Sequence, residues 1–302
     1  MASSKNDPRA TRLLRRLGGQ LFRASRLLDQ PDTPWRRRRL LDALAFHGQQ
    51  VHAEAGGVLH LTVRVPYGEV AGPESGLLFP GGKPPRRAHL AAMSHVARQS
   101  ALARLALSRV VVLDTETTGL LDRAETVPFL VGLGSFGARA FVVEQFFMED
   151  FETEPAMMKM LARRLQAAQA VFSYNGKAFD VPLLRRRLAI HRLSGTAWKR
   201  PHWDILPAAR RFWGKRVRSC SLISLESEVF GFRRARDIQS NRIPQVYHDY
   251  LGGRRAERLA AVFDHNAQDI LTTAAIAVAL ARGHLDPQDL PAALGLESSD
   301  QA

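Results

Sequence analysis

Two acids stand two residues apart at the end of an apolar run, in Val110-Val111-Val112-Leu113-Asp114-Thr115-Glu116-Thr117-Thr118-Gly119-Leu120. Alternation along a strand sends both carboxylates to one face, where like charges repel. A divalent cation between them would relieve the repulsion, since hard cations take carboxylate oxygens. The plainer reading is a strand that ends in a solvated acidic turn. Two further acids extend the pattern. Asp180 closes the stretch Tyr174-Asn175-Gly176-Lys177-Ala178-Phe179-Asp180 just ahead of Val181-Pro182. An acid in that position also reads as a helix N-cap. Asp269 follows His265 by four residues in Asp264-His265-Asn266-Ala267-Gln268-Asp269, which makes the two neighbours on one helical face. A simple surface pair is the plainer reading here, but Ile270, Leu271 and the alanine-rich run beyond predict a mostly buried helix. A buried acid requires a partner or a metal.

The elements that must hold these residues follow from periodicity. The run ahead of Asp114 predicts a strand buried on both faces. Pro128–Gly134 and Arg139–Met148 flank Ser135-Phe136-Gly137-Ala138, a hairpin signal, which gives a three-strand antiparallel meander with the acidic strand first. A helix over Glu154–Ala168 leads to a fourth strand, Ala170–Ser173, and a helical crossover makes that strand parallel to the first. Helices are expected near Ile205–Phe212, Leu222–Val229 and Arg254–Ala281, with residues 194–204 irregular and Asp204 a helix cap. Ahead of the acidic strand, residues 11–28 sketch an amphipathic helix, residues 47–67 a strand pair, residues 68–87 a Gly/Pro-rich linker and residues 87–108 a helix. His47, His52 and His60 lack carboxylates at ligand spacing and read as ordinary histidines.

Composition narrows the partner. The 302 residues carry 43 Lys and Arg against 29 Asp and Glu, a formal net charge of +14. A basic chain of this kind favours polyanions, nucleic acid above all. Residues 1–50 alone hold eleven Lys or Arg against four Asp, with Trp35-Arg36-Arg37-Arg38-Arg39 the densest run. That run is either a phosphate-contacting patch or the solvated start of a helix, and Arg185-Arg186-Arg187 poses the same choice. One cysteine, Cys220, excludes a disulfide within the chain and any multi-cysteine zinc site. No apolar run approaches the roughly 20 residues of a membrane span, and the N-terminus lacks the apolar stretch of a signal peptide. A cytoplasmic protein is the expectation.

Taken in order, Asp114-Thr-Glu-Thr-Thr-Gly, Asn175-Gly-Lys-Ala-Phe-Asp180 and His265-Asn-Ala-Gln-Asp269 resemble the three motifs of the DEDD (DnaQ-like) 3′→5′ exonuclease superfamily, over about residues 108–285. Within it the chain is similar to the YprB-like ribonuclease H-like proteins of bacteria, on Phe129-Leu-Val-Gly-Leu-Gly134, Tyr174 through Asp180, Ser219-Cys-Ser-Leu222 with Leu225-Glu226, and Tyr247-x-Asp-Tyr-Leu251. One feature departs from the pattern: the histidine stands four residues before the last Asp, the spacing of the Tyr-type members, so the subtype stays open. The resemblance implies a ribonuclease H-like α/β fold, a mixed sheet flanked by helices, with a basic N-terminal region (1–107) and a C-terminal tail (286–302). It implies two Mg²⁺ or Mn²⁺ ions, roughly 3.5–4 Å apart as in two-metal phosphodiesterases, held by Asp114, Glu116, Asp180 and Asp269. His265 would be the general base, histidine being the side chain whose charge changes nearest neutral pH. Thr115, Thr117, Gly119 and Leu120 would hold the terminal nucleotide, and Asn175 and Lys177 the phosphates. DNA is favoured over RNA, and related members imply repair beside a helicase. The alternatives are a ribonuclease of RNA decay or maturation, an endonuclease, and a catalytically silent nucleic-acid-binding module.

Overall fold

The computed structural model describes residues 40, 50–53, 58–67, 84–119, 125–193, 199–231, 233–234 and 237–285. The helix expected over 11–28, the arginine run 36–39, Leu120, most of the Gly/Pro-rich stretch and the tail from 286 lie outside them. In chain order the elements are β1 (Gln50–Ala53), β2 (Val58–Pro66), α1 (Arg87–Ala97), β3 (Val110–Thr117), β4 (Pro128–Phe136) and β5 (Ala140–Met148). There follow α2 (Glu154–Ala167), β6 (Ala170–Ser173), α3 (Asp180–Ile190), β7 (His202–Asp204), α4 (Leu206–Trp213), α5 (Leu222–Glu228), α6 (Ile243–Leu251) and α7 (Leu259–Leu285).

The strands make one seven-stranded sheet in the order β1-β2-β5-β4-β3-β6-β7. The meander β3-β4-β5 is antiparallel, and β6 runs parallel to β3 from Val110↔Ala170 to Leu113↔Ser173. The expected strand pair at 47–67 does more than stand alone: β2 pairs with β5 along its whole length, from Val58↔Met148 to Pro66↔Ala140. Two expectations are corrected. Residues 202–204, read as irregular, form the short parallel edge strand β7 beside β6, its Trp203 buried edge-on against Phe172. The helix expected over 87–108 ends at Ala97, where Arg98 takes a left-handed conformation (φ 55°) and two 3₁₀ turns follow. The usual Gly or Asn signal for such an end is missing, so the sequence hid it.

Alternation along β3 divides the core. Val111 and Leu113 pack with the Met157, Met158 and Leu161 stripe of α2 and with Tyr247 and Tyr250 of α6. Val110 and Val112 pack on the other face with Leu90 and Met93 of α1 and with α7 from Ala267 to Ala281. Helix α7 is apolar nearly all round, as a helix enclosed by protein should be, and its side chains from Ala274 to Ala281 are buried. It lies close on the sheet because β4 offers glycines there. A Cβ on Gly132 would overlap Ile270 Cδ1 and Asn266 Oδ1, and one on Gly134 would overlap Ile270 and Phe141. The Phe129-to-Gly134 motif is therefore a landing strip for the helix that carries His265 and Asp269.

Candidate active site

Strand β6 stops at Ser173, but β3 continues from Asp114 to Thr117. That leaves a crevice at the carboxyl ends of the two parallel strands, beside the point where the sheet changes from antiparallel to parallel. Open α/β sheets bind ligands at such places. The chain after β6 folds into the crevice through Asn175, whose φ of 64° is left-handed, and Gly176, where a Cβ would strike the Ser173 hydroxyl. Asp204 at the end of β7 holds this turn: its carboxylate accepts from the Asn175 N–H at 2.8 Å and the Lys177 N–H at 3.1 Å, as well as from Leu206 N–H at 3.2 Å. Asp204 is thus not the helix cap expected: Ile205 takes the N-cap position of α4, with no side-chain cap bond.

Asp180 is not the N-cap of α3. Phe179 occupies that position with no capping side-chain bond, and Asp180 is the first helical residue. Its Oδ1 instead accepts from the Thr115 hydroxyl at 2.5 Å, which joins α3 to the middle of the acidic strand. Asp114 points to the other face, where Asn266 of α7 donates to its Oδ2 at 2.7 Å. Asn266 is itself held by Gln145 of β5, whose Nε2 lies 2.9 Å from the Asn266 Oδ1. A cavity of about 270 Å³ opens between β3 and α3, lined among others by Asp114, Thr115, Thr117, Gly119, Asn175 and Asp180. Tyr174 and Phe179 give it an aromatic wall, and Phe179 is 49 % exposed.

Of the residues singled out in the sequence, Glu116, His265 and Asp269 do not line this cavity, and Lys177 turns its side chain to solvent. Glu116 is buried on the α7 side of β3. Charge nevertheless ties the acids together. Burial raises Asp114 well above the usual carboxylate range, and the charges of Asp269 and Asp180 raise it further against the Asn266 hydrogen bond. Burial likewise raises Glu116, helped by Asp114, Asp269 and Asp180. Asp180 is pushed up to about 6 by burial, against the Thr115 bond. Asp114 and Glu116 thus feel their acidic neighbours on top of burial, Asp114 with some relief from Arg234.

Asp269 has a partner no motif announced. Arg234, 7 % exposed, donates Nη2 to its Oδ1 at 2.5 Å. Among the described residues no three His, Cys, Asp or Glu side chains are grouped so as to hold a metal as they stand. The donor set fits hard cations all the same: it consists of carboxylate oxygens, and three of these acids are raised, first of all by burial. His265 is also buried, its Nε2 3.6 Å from Asp269 Oδ2.

The remaining motif residues have structural work. Tyr247 stacks on Phe129 and donates its hydroxyl to the Met148 carbonyl, Ser221 caps α5, and Leu225 lies in the core. Arg187, read as a phosphate contact or a solvated charge, is neither: it pairs with the buried Glu154.

Residues 111–281 match the RNase_H_2 family of the RNase H superfamily, and the chain belongs to that superfamily. It is 29 % identical over 181 residues to YprB, an uncharacterized protein of Bacillus subtilis (strain 168), across 59 % of this chain and 43 % of YprB. The chain therefore spans less than half the length of that relative. A family B DNA polymerase from the archaeon Pyrobaculum calidifontis superposes with a TM-score of 0.44 at 15 % identity, covering 61 % of this chain and 27 % of the polymerase.

Proposed function

We propose that this chain is a metal-dependent 3′→5′ exonuclease, acting on single-stranded DNA. The observation that carries the reading is the crevice itself: Asp114 and Asp180, from distant parts of the sequence, line one cavity with three threonines and an asparagine. Asp114, Glu116, Asp180 and Asp269 would hold two Mg²⁺ or Mn²⁺ ions. Bound there, the ions would supply charge stabilisation at the phosphoryl group and acidify the attacking water. Thr115, Thr117, Gly119 and Asn175 line the space for the terminal nucleotide, and Phe179 offers its base an aromatic face. His265 accepts the proton of the attacking water at Nε2. The net charge of +14 draws the polyanion in. A place in DNA repair beside a helicase fits this reading.

The second reading, a nucleic-acid-binding module without catalysis, draws on one observation: Asp269 is already neutralised by Arg234. A digestion panel separates them. End-labelled single-stranded DNA, matched RNA and a circular DNA are incubated with the chain, with and without Mg²⁺ or Mn²⁺. The exonuclease reading expects metal-dependent shortening of linear DNA from the 3′ end, and loss of it in Asp114→Ala and Asp269→Ala at near-wild-type melting. Full activity in either variant removes that acid from the site. No turnover with any substrate or metal, beside retained binding, favours the module. Faster RNA digestion shifts the substrate, and a nicked circle makes the enzyme an endonuclease.

A further inference from the structure

Arg234, Glu226 and Asp237 belong to none of the three motifs, yet they form an ion network that takes in His265 and Asp269 of the third. At its centre Arg234 donates Nε and Nη2 to the two oxygens of Glu226, each at 2.7 Å. Glu226 is 1 % exposed and also accepts from the Thr272 hydroxyl of α7. The same guanidinium reaches Asp269 through Nη2 and Asp237 Oδ2 through Nη1, the latter at 3.2 Å. The other oxygen of Asp237 stands 2.6 Å from His265 Nδ1. Among the described residues the opposite ring nitrogen, Nε2, has longer contacts, 3.5 Å to the Ser240 hydroxyl and 3.6 Å to Asp269 Oδ2.

This geometry constrains where the neutral ring of His265 carries its proton. A carboxylate can only accept, so a 2.6 Å contact to Asp237 requires a proton on Nδ1. Arg234 Nη1, 3.3 Å from the same nitrogen, is a donor and cannot replace that bond with a protonated Nδ1. In the neutral ring Nε2 then keeps its lone pair, directed to the Asp269 side. We infer that Asp237 is a positioning residue: it holds His265 as the Nδ1–H tautomer, and Arg234, anchored on Glu226, fixes Asp237 and Asp269 against the ring. The inference rests on His265 as the general base of the proposed exonuclease. In that step a water O–H bond breaks as Nε2 gains the proton, the oxygen bonds to phosphorus, and the P–O3′ bond breaks with its electron pair on the leaving oxygen. Asp237 stabilises the charged ring and takes no proton.

Asp237→Asn is the telling substitution. It is nearly isosteric, and two donors compete for its oxygen: the Ile238 N–H, 2.9 Å from Oδ1, and the Arg234 guanidinium at Oδ2. The bond to the charged guanidinium is the stronger, so the new amide turns its oxygen to Arg234 and its NH₂ to His265. Nδ1 must then accept, and the proton moves to Nε2. In the intact chain with ¹⁵N-labelled histidine, long-range ¹H–¹⁵N spectra at alkaline pH read the tautomer directly. The signals that disappear in a His265→Gln spectrum identify the ring in question. The wild-type ring is expected as Nδ1–H and the Asp237→Asn ring as Nε2–H. The kcat of Asp237→Asn should fall by about 10–100-fold, the usual cost of losing an outer-sphere partner, with KM unchanged. An Nε2–H ring in the wild type overturns the inference whether or not the variant folds, as does a variant with the wild-type kcat. A wild-type chain that shows the Nδ1–H ring but cleaves nothing sinks the exonuclease reading alone.

Discussion

Glu116 shows what the candidate site costs at the level of a single side chain. Its carboxylate is buried and is raised well above its ordinary range, first by burial and then by the charges of Asp114, Asp269, Asp180 and Asp237. In the metal-free protein its charge opposes folding. Glu116→Gln keeps the shape and removes the charge. The metal-free variant is expected to melt a few degrees above wild type, the shift that about 1 kcal/mol produces in a protein of this size. It should also lose any rise in melting temperature on adding Mn²⁺. Differential scanning calorimetry of both proteins, with and without the ion, measures the pair of effects. A variant that melts lower and still responds to Mn²⁺ would make Glu116 an ordinary structural acid. At this scale Asp114 and Glu116 were legible as acids on a buried strand, because acids at the end of an apolar run are conspicuous. The sequence was silent on Arg234 and Asp237, whose neighbourhood of 233–237 reads as one more arginine-rich loop. Only the fold brings Arg234 and Asp237 against α7.

Among the elements, α7 and β4 form the joint on which the site's geometry turns. Helix α7 carries His265, Asn266 and Asp269, and its distance from the sheet is set where Gly132 has no side chain. Asp114 pairs with Gly132 in the β3–β4 register, so the glycine sits directly beside the acid it helps to place. The Cβ of Gly132→Ala would overlap both Ile270 Cδ1 and the Asn266 amide that holds Asp114. Ile270 can swing away, but Asn266 is bonded on both sides, to Gln145 and to Asp114. Overpacking of this kind costs about 1–3 kcal/mol. Urea denaturation should register that loss, and nuclease activity should fall by more than the unfolded fraction explains. Wild-type stability and activity in Gly132→Ala would mean that α7 has slack. The meander and the parallel fourth strand were legible because hairpin residues and apolar runs are local signals. The end of α1 at Arg98 and the three-residue β7 were not, since a left-handed arginine and a short edge strand depend on what packs against them. The glycines of β4 have no local signal of their purpose, since what requires them is α7 lying on that face.

Across the whole molecule the raised acids give the metal-free protein an unusual pH dependence. Asp180 moves from 3.8 to about 6, and Asp114 and Glu116 are also raised. Between the unfolded and folded values the native state binds more protons than the unfolded chain, so stability falls as pH rises through that window. The contribution of these acids is fully present only below about pH 4, the ordinary carboxylate range, and for Asp180 it is gone once pH passes about 6. A tenfold gain in a carboxyl's proton affinity on folding corresponds to on the order of 1 kcal/mol. Asp237 and Glu144 work the other way. Despite the opposing effect of burial, His265 and Arg234 hold Asp237 below its usual range, while His60 and Arg164 do the same for Glu144. Their stabilisation is present at neutral pH and disappears on acidification. The candidate site should therefore show itself in a difference: the drop in metal-free melting temperature between about pH 5 and about pH 8 should shrink in Asp180→Asn. Divalent cations compete with protons for the same oxygens. Mg²⁺ or Mn²⁺ should accordingly raise the melting temperature more at the higher pH than at the lower, and the excess should vanish in Asp114→Ala. A cation-induced rise equal at both pH values, or one retained in Asp114→Ala, would place the bound ion away from these carboxylates.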